Sequence, residues 1–171
     1  FAFSIYNKKT DVCYIVRDRL GIKPLYYSQD DNKIIFSSEI KSILKLDGKI
    51  RTLDLKAVSS YLSFRYPISN NTFFNGIHSL APAHYIKLVK SELEIVEYWN
   101  IADKFKEQYD DRGESYYKNK LRKLLESAVK YRMISDVPFG AFLSGGVDSS
   151  VITALMAKNS PKPIKTFTIG F

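Results

Sequence analysis

The amino-acid sequence predicts two segments that differ in fold class, an α+β segment followed by an α/β segment. Over the first hundred residues, short alternating or apolar runs are separated by polar turns, which is typical of antiparallel hairpins. After residue 115, a long helical period is followed by a strand, a glycine-rich turn, a helix and a strand, which predicts a parallel βαβ unit. A charged, weakly periodic stretch separates the two. We therefore expect a first domain over residues 1–100, a linker over 101–114 and a second domain over 115–171.

Hairpins dominate the prediction for the first segment. Each consists of two apolar or alternating runs with a polar turn between them. The paired runs are 1–6 with 12–16, 25–27 with 34–36, and 85–89 with 93–96. A short helix is expected around Ile40–Leu44, and Asp54 is the expected N-cap of another helix over 55–62.

The second segment is predicted to open with a helix of about 18 residues that begins near Ser115, because apolar residues recur with a helical period. Basic residues between Lys118 and Arg132 are interpreted as a solvated face, with a polyanion-binding patch as the alternative. After this helix we expect a strand over 139–143, a helix over 149–158 and a strand over 164–169. The apolar face of the first helix, predicted to be buried, consists of Tyr117, Leu121, Leu124, Leu125, Ala128 and Val129.

The composition excludes several classes of protein. A single cysteine excludes a disulfide-stapled secreted scaffold and makes a reducing, cytoplasmic location the expectation. No run approaches 18 apolar residues, so no membrane-spanning helix is expected. The net charge of +8 is spread evenly along the chain, which argues against a nucleic-acid-binding surface. Because the sequence opens on an alternating strand at Phe1 and closes on an apolar one at Phe171, we expect an internal piece of a longer polypeptide.

The clearest chemical signal is the string Ser-Gly-Gly-Val-Asp-Ser-Ser at residues 144–150, between a buried strand and a helix. Its glycines allow a ligand to approach the backbone, and the helix start offers unpaired N–H groups, so the string predicts a phosphate or pyrophosphate cradle. Asp148 beside phosphates implies a divalent cation such as Mg²⁺. The pattern matches neither a Walker loop nor a dinucleotide fingerprint. The structural alternative is a plain strand-to-helix turn with Asp or Ser as the N-cap.

The loop resembles the pyrophosphate-binding loop of enzymes that adenylate a substrate and release pyrophosphate. Upstream, Arg17–Tyr27 and Phe36–Lys41 resemble the glutamine amidotransferase domain of glutamine-hydrolysing asparagine synthetases, as do Phe1–Phe3, Pro82–Tyr85 and Tyr98–Trp99. The two motifs occur in the order found in that family. The chain is therefore similar over nearly its whole length to an internal fragment of the asparagine synthetase B family, spanning both domains.

The resemblance implies an ATP-dependent carbon–nitrogen ligase. Its first domain would be a glutaminase with the αββα sandwich of N-terminal-nucleophile enzymes, and its second a doubly wound parallel sheet. Glutamine would be hydrolysed by an N-terminal cysteine upstream of Phe1, and aspartate would be converted by ATP to β-aspartyl-AMP before ammonia displaces AMP. No catalytic residue is expected within the segment, and we expect the segment alone to be inactive.

The resemblance also implies which residues bind ATP and Mg²⁺. The pyrophosphate would be held by Ser144, Gly145, Gly146, Asp148, Ser149 and Ser150, with Asp148 near the metal. Phe142 and Leu143 would lie near the adenosine, and Ile169 would border the adenine ring. The expected partners are aspartate, glutamine and ATP, without nucleic acid or membrane, and a homodimer is left open.

Several alternatives remain at the level of the sequence. Relatives of the family amidate sugar or peptide carboxylates or close a β-lactam, and a tRNA-modifying adenylating enzyme or a non-catalytic interaction protein would belong to other classes. Cys13 is expected to be a core residue rather than a nucleophile, and His78 and His84 to be structural or exposed. Arg17, Asp18 and Arg19 are expected to form a salt-bridge network or to line an interdomain path.

Overall fold

A computed structural model describes residues 1–30, 33–47, 52–90, 92–106 and 111–170 of the protein. The chain divides into two compact units, Phe1–Gln108 and Tyr109–Phe171. Parts of the predicted turns and linker, at residues 31–32, 91 and 107–110, lie outside the described residues. Both helices and strands occur, so the fold is of mixed α/β class.

The first unit is built from short antiparallel strands and short helices. Along the chain these are β1 (Ala2–Asn7), β2 (Val12–Arg17), β3 (Tyr26–Gln29), β4 (Ile34–Ser37), α1 (Ile40–Asp47), α2 (Leu55–Phe64), β5 (His78–Ser79), β6 (His84–Val89) and β7 (Glu92–Glu97), followed by a 3₁₀ helix (Ile101–Lys106). The three predicted hairpins are confirmed as the pairs β1–β2, β3–β4 and β6–β7. The 3₁₀ helix occupies the start of the predicted linker.

Two sheets form the core of this unit. One has the order β1-β2-β6-β7 and the other β4-β3-β5. Ile15 and Ile86 lie opposite each other on β2 and β6, and they pack with Leu25 and Leu80, which flank the second sheet. Each of these side chains is buried, and full burial of one aliphatic side chain contributes about 1.5–3 kcal/mol. Cys13 is half-buried against this cluster, which agrees with the expected structural role.

Local side-chain chemistry sets the start of α2. The Asp54 carboxylate accepts hydrogen bonds from the backbone N–H groups of Lys56 and Ala57 at 2.9 and 3.1 Å. This confirms the predicted N-cap, because one carboxylate satisfies donors that the helix itself cannot pair. Helix α1 packs against β3 and β4 of the second sheet.

The second unit contains α3 (Glu114–Arg132), β8 (Gly140–Phe142), α4 (Val147–Lys158) and β9 (Lys165–Phe167). Strands β8 and β9 are parallel and pair Ala141 with Thr166, so the predicted βαβ unit is confirmed. Helix α4 begins at Val147, earlier than the expected Ser149, and both strands are shorter than expected. Helix α3 packs against α4, where Val129 and Met156 are buried.

The prediction of a buried apolar face on α3 is wrong for Tyr117, Leu121 and Leu124, which are 36%, 58% and 58% exposed. Leu125 and Ala128 are half-buried, as predicted for the half of the helix nearer Val129. The reason is length, because the 12 residues of α4 cannot cover a helix of 19 residues. The basic face is partly neutralised by acidic residues of the same helix. Lys118 pairs with Glu114 at 2.7 Å, and Lys130 and Lys158 both pair with Glu126.

None of the helices in the described part of the chain is both long and apolar enough to cross a membrane.

Candidate functional site

The glycine-rich loop lies at the carboxyl end of the parallel pair β8–β9. Strand β8 ends at Phe142 and α4 begins at Val147, so only Leu143 and the loop of residues 144–146 connect them. The backbone N–H of Leu143 donates to the carbonyl oxygen of Phe167 at 2.9 Å, which extends the pairing of the two strands by one bond. Ligands of open α/β sheets bind at this edge, beyond the carboxyl ends of the strands.

The loop turns through Gly145, whose φ of +82° is a conformation that side chains other than glycine adopt at a cost. Gly146 follows as the N-cap of α4, and because it has no side chain, no side-chain cap pairs with the first N–H groups of the helix. Asp148 lies one step further, in the first turn of the helix, and is exposed. The Asp or Ser cap expected for a plain turn is not formed, because Gly146 holds the cap position. The first N–H groups of α4 have no side-chain cap, and their dipole favours an anion.

Hydroxyl groups brace the loop from inside. Ser144 Oγ lies 3.1 Å from Ser149 Oγ, and Ser149 Oγ donates to the carbonyl oxygen of Gly146 at 3.1 Å. Thr153 Oγ1 in turn donates to the carbonyl oxygen of Ser149 at 2.8 Å. A hydroxyl has one proton, so the bond from Ser149 to Gly146 makes Ser144 the donor of the Ser144–Ser149 pair. The free loop thus contains a directed chain from Ser144 through Ser149 to Gly146.

The remaining predicted site residues lie beside the loop. Phe142 and Ile169 are 82% and 79% exposed, and Leu143 is half-buried. The Phe142 ring lies 6.3 Å from the ring of Phe167, centroid to centroid, on the neighbouring strand. Ile169 is two residues beyond the end of β9, so Leu143 and Ile169 sit at the ends of adjacent strands.

One contact at this edge was not predicted. Thr168 Oγ1 donates to the carbonyl oxygen of Leu143 at 2.7 Å, directly before the loop. In the sequence, Thr168 lies inside the predicted strand over 164–169, and its role cannot be predicted until the register of β8 and β9 is known.

Asp148 is the residue predicted to lie near a metal ion. Among the described residues, no group of three or more His, Cys, Asp or Glu side chains could hold a metal. Asp148 is an exposed carboxylate beside a helix start that has no side-chain cap, and Mg²⁺ is bound in proteins through one or two carboxylates together with substrate phosphates. This carboxylate would fit a magnesium ion that binds together with phosphates.

In the first unit, the loop from Asp18 to Lys23 is held by two neighbouring charged side chains. The Arg17 guanidinium donates to the carbonyl oxygens of Lys23, Gly21 and Leu80, and to Ser79 Oγ. Asp18 is buried. Its Oδ1 accepts from the N–H groups of Leu20 and Ile22, and its Oδ2 accepts from the N–H of Lys23.

These contacts correct the predicted salt-bridge network, because Arg17 and Asp18 bind the backbone rather than each other. Burial of the Asp18 carboxyl would raise its pKa, but hydrogen bonds from the N–H groups of Lys23, Ile22 and Leu20 outweigh that effect and hold the pKa well below its usual range.

The Arg19 guanidinium lies over the Trp99 ring, 5.7 Å from its centroid. His78 packs against the ring of Tyr27, and His84 Nδ1 lies 2.7 Å from the carbonyl oxygen of Pro82, which fits the structural roles expected of both.

Both parts of the chain match known protein families. Residues 1–99 match the family described as glutamine amidotransferase domain, and residues 120–171 match the family described as asparagine synthase. Asparagine synthetase [glutamine-hydrolyzing] 3 of Bacillus subtilis is 34% identical over 100% of this chain and 28% of its own length. Asparagine synthetase [glutamine-hydrolyzing] 1 of the same organism is 33% identical over 100% of this chain and 26% of its own.

A third relative has a different name. Amidase chyE of Penicillium rubens is 33% identical over 100% of this chain and 27% of its own length. The chain thus spans less than a third of each of these three relatives.

Proposed function

The chain belongs to the glutamine amidotransferase domain family, and from that premise we propose that the protein of which it is part synthesises asparagine from aspartate, ATP and glutamine. The observation that carries the proposal is the order of its parts. An amidotransferase segment is followed in the same chain by a parallel strand–loop–helix–strand unit, whose glycine-rich loop lacks a side-chain cap and lies at the carboxyl edge. The first part would supply ammonia and the second would activate its acceptor.

The proposed architecture refines the observed mixed α/β class. We assign residues 1–100 to the later part of a glutaminase domain with an αββα sandwich, 101–114 to a linker, and 115–171 to the start of a doubly wound ATP-binding domain. Two facing sheets with α1 packed on one of them support the first assignment. The parallel pair β8–β9 joined through α4 supports the second.

The chemistry requires activation because a carboxylate is a poor electrophile. A β-carboxylate oxygen of aspartate would attack the α-phosphorus of ATP, forming β-aspartyl-AMP and releasing pyrophosphate. Ammonia nitrogen would then attack the acyl carbon, and AMP would leave as asparagine forms. Hydrolysis of glutamine to glutamate would supply the ammonia. Exclusion of water protects both the acyl-adenylate and the ammonia.

Within this chain, the loop residues would bind the pyrophosphate part of ATP. Ser144 can donate its hydroxyl proton, and the uncapped N–H groups at the start of α4 face the same anion. Ser149 and Ser150 would complete the cradle with Gly145 and Gly146. Asp148 would hold Mg²⁺, which when bound neutralises phosphate charge. Phe142, Leu143 and Ile169 would border the adenosine.

The glutaminase nucleophile is proposed to be an N-terminal cysteine outside residues 1–171. Cys13 does not replace it, because its side chain lies half-buried against the core cluster.

We further propose a cytoplasmic protein with small-molecule substrates and no nucleic-acid partner. The pairing of Lys118 and Lys130 with glutamates of the same helix supports the solvated-face interpretation of α3.

The test is ATP–pyrophosphate exchange by the complete protein with Mg²⁺, comparing aspartate with other carboxylates. We expect exchange that depends on aspartate, and formation of asparagine when glutamine is added. The control replaces Asp103, a surface carboxylate of the 3₁₀ helix, by Asn and should leave exchange unchanged. Absence of exchange with every carboxylate would refute the adenylation proposal.

A second candidate differs only in the acceptor. A relative named amidase is as similar to this chain as one of the relatives named asparagine synthetase, at 33% identity. Similarity therefore leaves the acceptor open, and the candidate is the alternative expected from the sequence, amidation of a sugar or peptide carboxylate. Exchange with such an acid, but not with aspartate, would favour this candidate.

A further inference from the structure

Leu143 and Ile169, at the ends of β8 and β9, are proposed to border the adenosine, and the side chain of Thr168 joins the two strand ends. We infer that Thr168 is a positioning residue for the nucleotide, whose hydroxyl holds the backbone that leads into the pyrophosphate loop. The inference rests on the proposed function, because it concerns the same ATP site. Thr168 itself is not proposed to touch the nucleotide.

The first step of the argument is the register of the strands. In a parallel pair of strands, the N–H and the C=O of one residue bond to two different residues of the partner strand. The residue that donates to the C=O lies two positions after the residue that accepts from the N–H. The N–H of Leu143 donates to the carbonyl oxygen of Phe167, so the Leu143 carbonyl should accept from the N–H of Ile169. Among the described residues that main-chain bond is not made. The Thr168 hydroxyl occupies its place at 2.7 Å.

The second step concerns the direction of the next peptide group. The N–H of Leu143 bonds to the carbonyl oxygen of Phe167, and its C=O bonds to the Thr168 hydroxyl, so both backbone groups of Leu143 are held by the neighbouring chain segment. A trans peptide bond is planar, and its N–H points opposite to its C=O. Because the Leu143 carbonyl points toward Thr168, the N–H of Ser144 points away from β9. The Thr168 hydroxyl thereby sets the direction of the first amide of the loop.

The third step is that the same bond holds the other strand end. Ile169 follows Thr168 directly and is 79% exposed, so its position depends on the backbone that carries it. Losing the hydroxyl would loosen Leu143 and Ile169 together. The expected defect is therefore in nucleotide binding rather than in glutamine hydrolysis.

Three substitutions in the complete protein test the inference. Thr168→Val removes the hydroxyl and keeps the shape, Thr168→Ser keeps the hydroxyl, and Thr166→Val is the matched control. Thr166 is an exposed residue of β9, and its hydroxyl makes no hydrogen bond in the described part of the chain. The measurements are equilibrium binding of MgATP, the KM for ATP and kcat in pyrophosphate exchange, and glutaminase activity.

We expect Thr168→Val to weaken MgATP binding and raise the KM for ATP about 3- to 10-fold, the range that one net hydrogen bond allows, with kcat changed less than twofold. Thr168→Ser should restore binding to within about twofold, and Thr166→Val should equal the wild type. A general loss of structure would lower kcat or glutaminase activity as well, and serine would not rescue it.

The possible failures are distinguishable. If the wild type binds MgATP but activates an acid other than aspartate, the proposed substrate is wrong, while binding still tests Thr168. Equal binding by wild type and Thr168→Val would overturn the inference and leave the proposed function intact, as would an equal loss in Thr166→Val. A wild type that binds no MgATP would overturn both.

Discussion

The buried carboxylate of Asp18 gives the sharpest quantitative prediction for the first unit. In Asp18→Asn the amide oxygen can keep the bonds that Oδ1 accepts from the N–H groups of Leu20 and Ile22, at 3.1 and 3.0 Å. The amide nitrogen then faces the N–H of Lys23, which Oδ2 now accepts at 3.0 Å. The substitution loses a charge-assisted bond and leaves a buried donor unpaired.

A bond to a charged group contributes about 1.5–3 kcal/mol, so we expect Asp18→Asn to lower the local opening free energy by about 2–4 kcal/mol. Asp18→Ala loses the acceptor of all three N–H groups, so the same range per bond gives a cost of about 4.5–9 kcal/mol. At about 1.4 kcal/mol per factor of ten, the asparagine variant should speed exchange of the Leu20 and Ile22 amides roughly 30- to 1000-fold.

Native-state amide hydrogen exchange in the complete protein measures this effect directly. The control is Asp11→Asn, which removes an exposed carboxylate whose contact is the Tyr6 hydroxyl. Exchange in Asp18→Asn within threefold of the wild type would refute the assignment of Asp18 as the organiser of this loop.

The pH dependence has a definite sign. The folded-state pKa of Asp18 is depressed, so its contribution is complete above the ordinary carboxyl pKa of about 4 and is lost as the pH falls toward the folded-state pKa. The difference in opening free energy between wild type and Asp18→Asn should therefore shrink below about pH 4. A difference that grows on acidification would contradict the hydrogen-bond account.

Three further predictions concern the second unit. In Gly145→Ala the new Cβ meets no atom within 4 Å, but alanine is forced to φ +82°, which costs about 1–2 kcal/mol. We therefore expect MgATP binding to weaken roughly 5- to 30-fold. The control is Gly113→Ala, which has φ +76° and equally open space and should bind MgATP normally. Gly140→Ala places a Cβ 2.6 Å from the carbonyl oxygen of Lys165, so it should lower the free energy of unfolding by about 1–3 kcal/mol in urea titrations, whereas Gly170→Ala, with no atom within 4 Å, should not. Asp148→Asn should raise the Mg²⁺ concentration needed for half-maximal exchange without changing glutaminase activity, and an unchanged magnesium requirement would remove Asp148 from the metal site.

Much of the fold could be predicted from the sequence because its signals are local. The hairpins follow from alternation and polar turns, and the cap of α2 follows from one carboxylate placed before an apolar period. Long-range features could not be obtained this way. Periodicity marks Leu121 and Leu124 as an apolar face, but which part of that face is covered depends on the length of α4.

The candidate site shows the same division. The glycine-rich string predicted the strand-to-helix loop, since glycine and serine are needed there for backbone reasons. The roles of Arg17, Asp18 and Thr168 could not be predicted, because their partners are main-chain groups brought close only by the fold. Adjacent opposite charges suggested that Arg17 and Asp18 pair, yet a buried carboxylate is better satisfied by several fixed N–H groups than by one flexible cation.

The directed hydroxyl chain in the loop bears on how an anion would be selected. In the free loop, Ser144 donates to Ser149, and Ser149 donates to the carbonyl oxygen of Gly146. To bind a phosphate oxygen, Ser144 must give up that neutral bond for a charge-assisted one, which is roughly twice as strong. A neutral ligand offers no such gain. The hydrogen bond from Ser149 to Gly146 need not change, so the turn into α4 keeps its conformation. Only the Ser144 hydroxyl changes its acceptor, from Ser149 Oγ to the phosphate oxygen. On the proposed function, this exchange favours pyrophosphate over uncharged ligands without any rearrangement of the backbone.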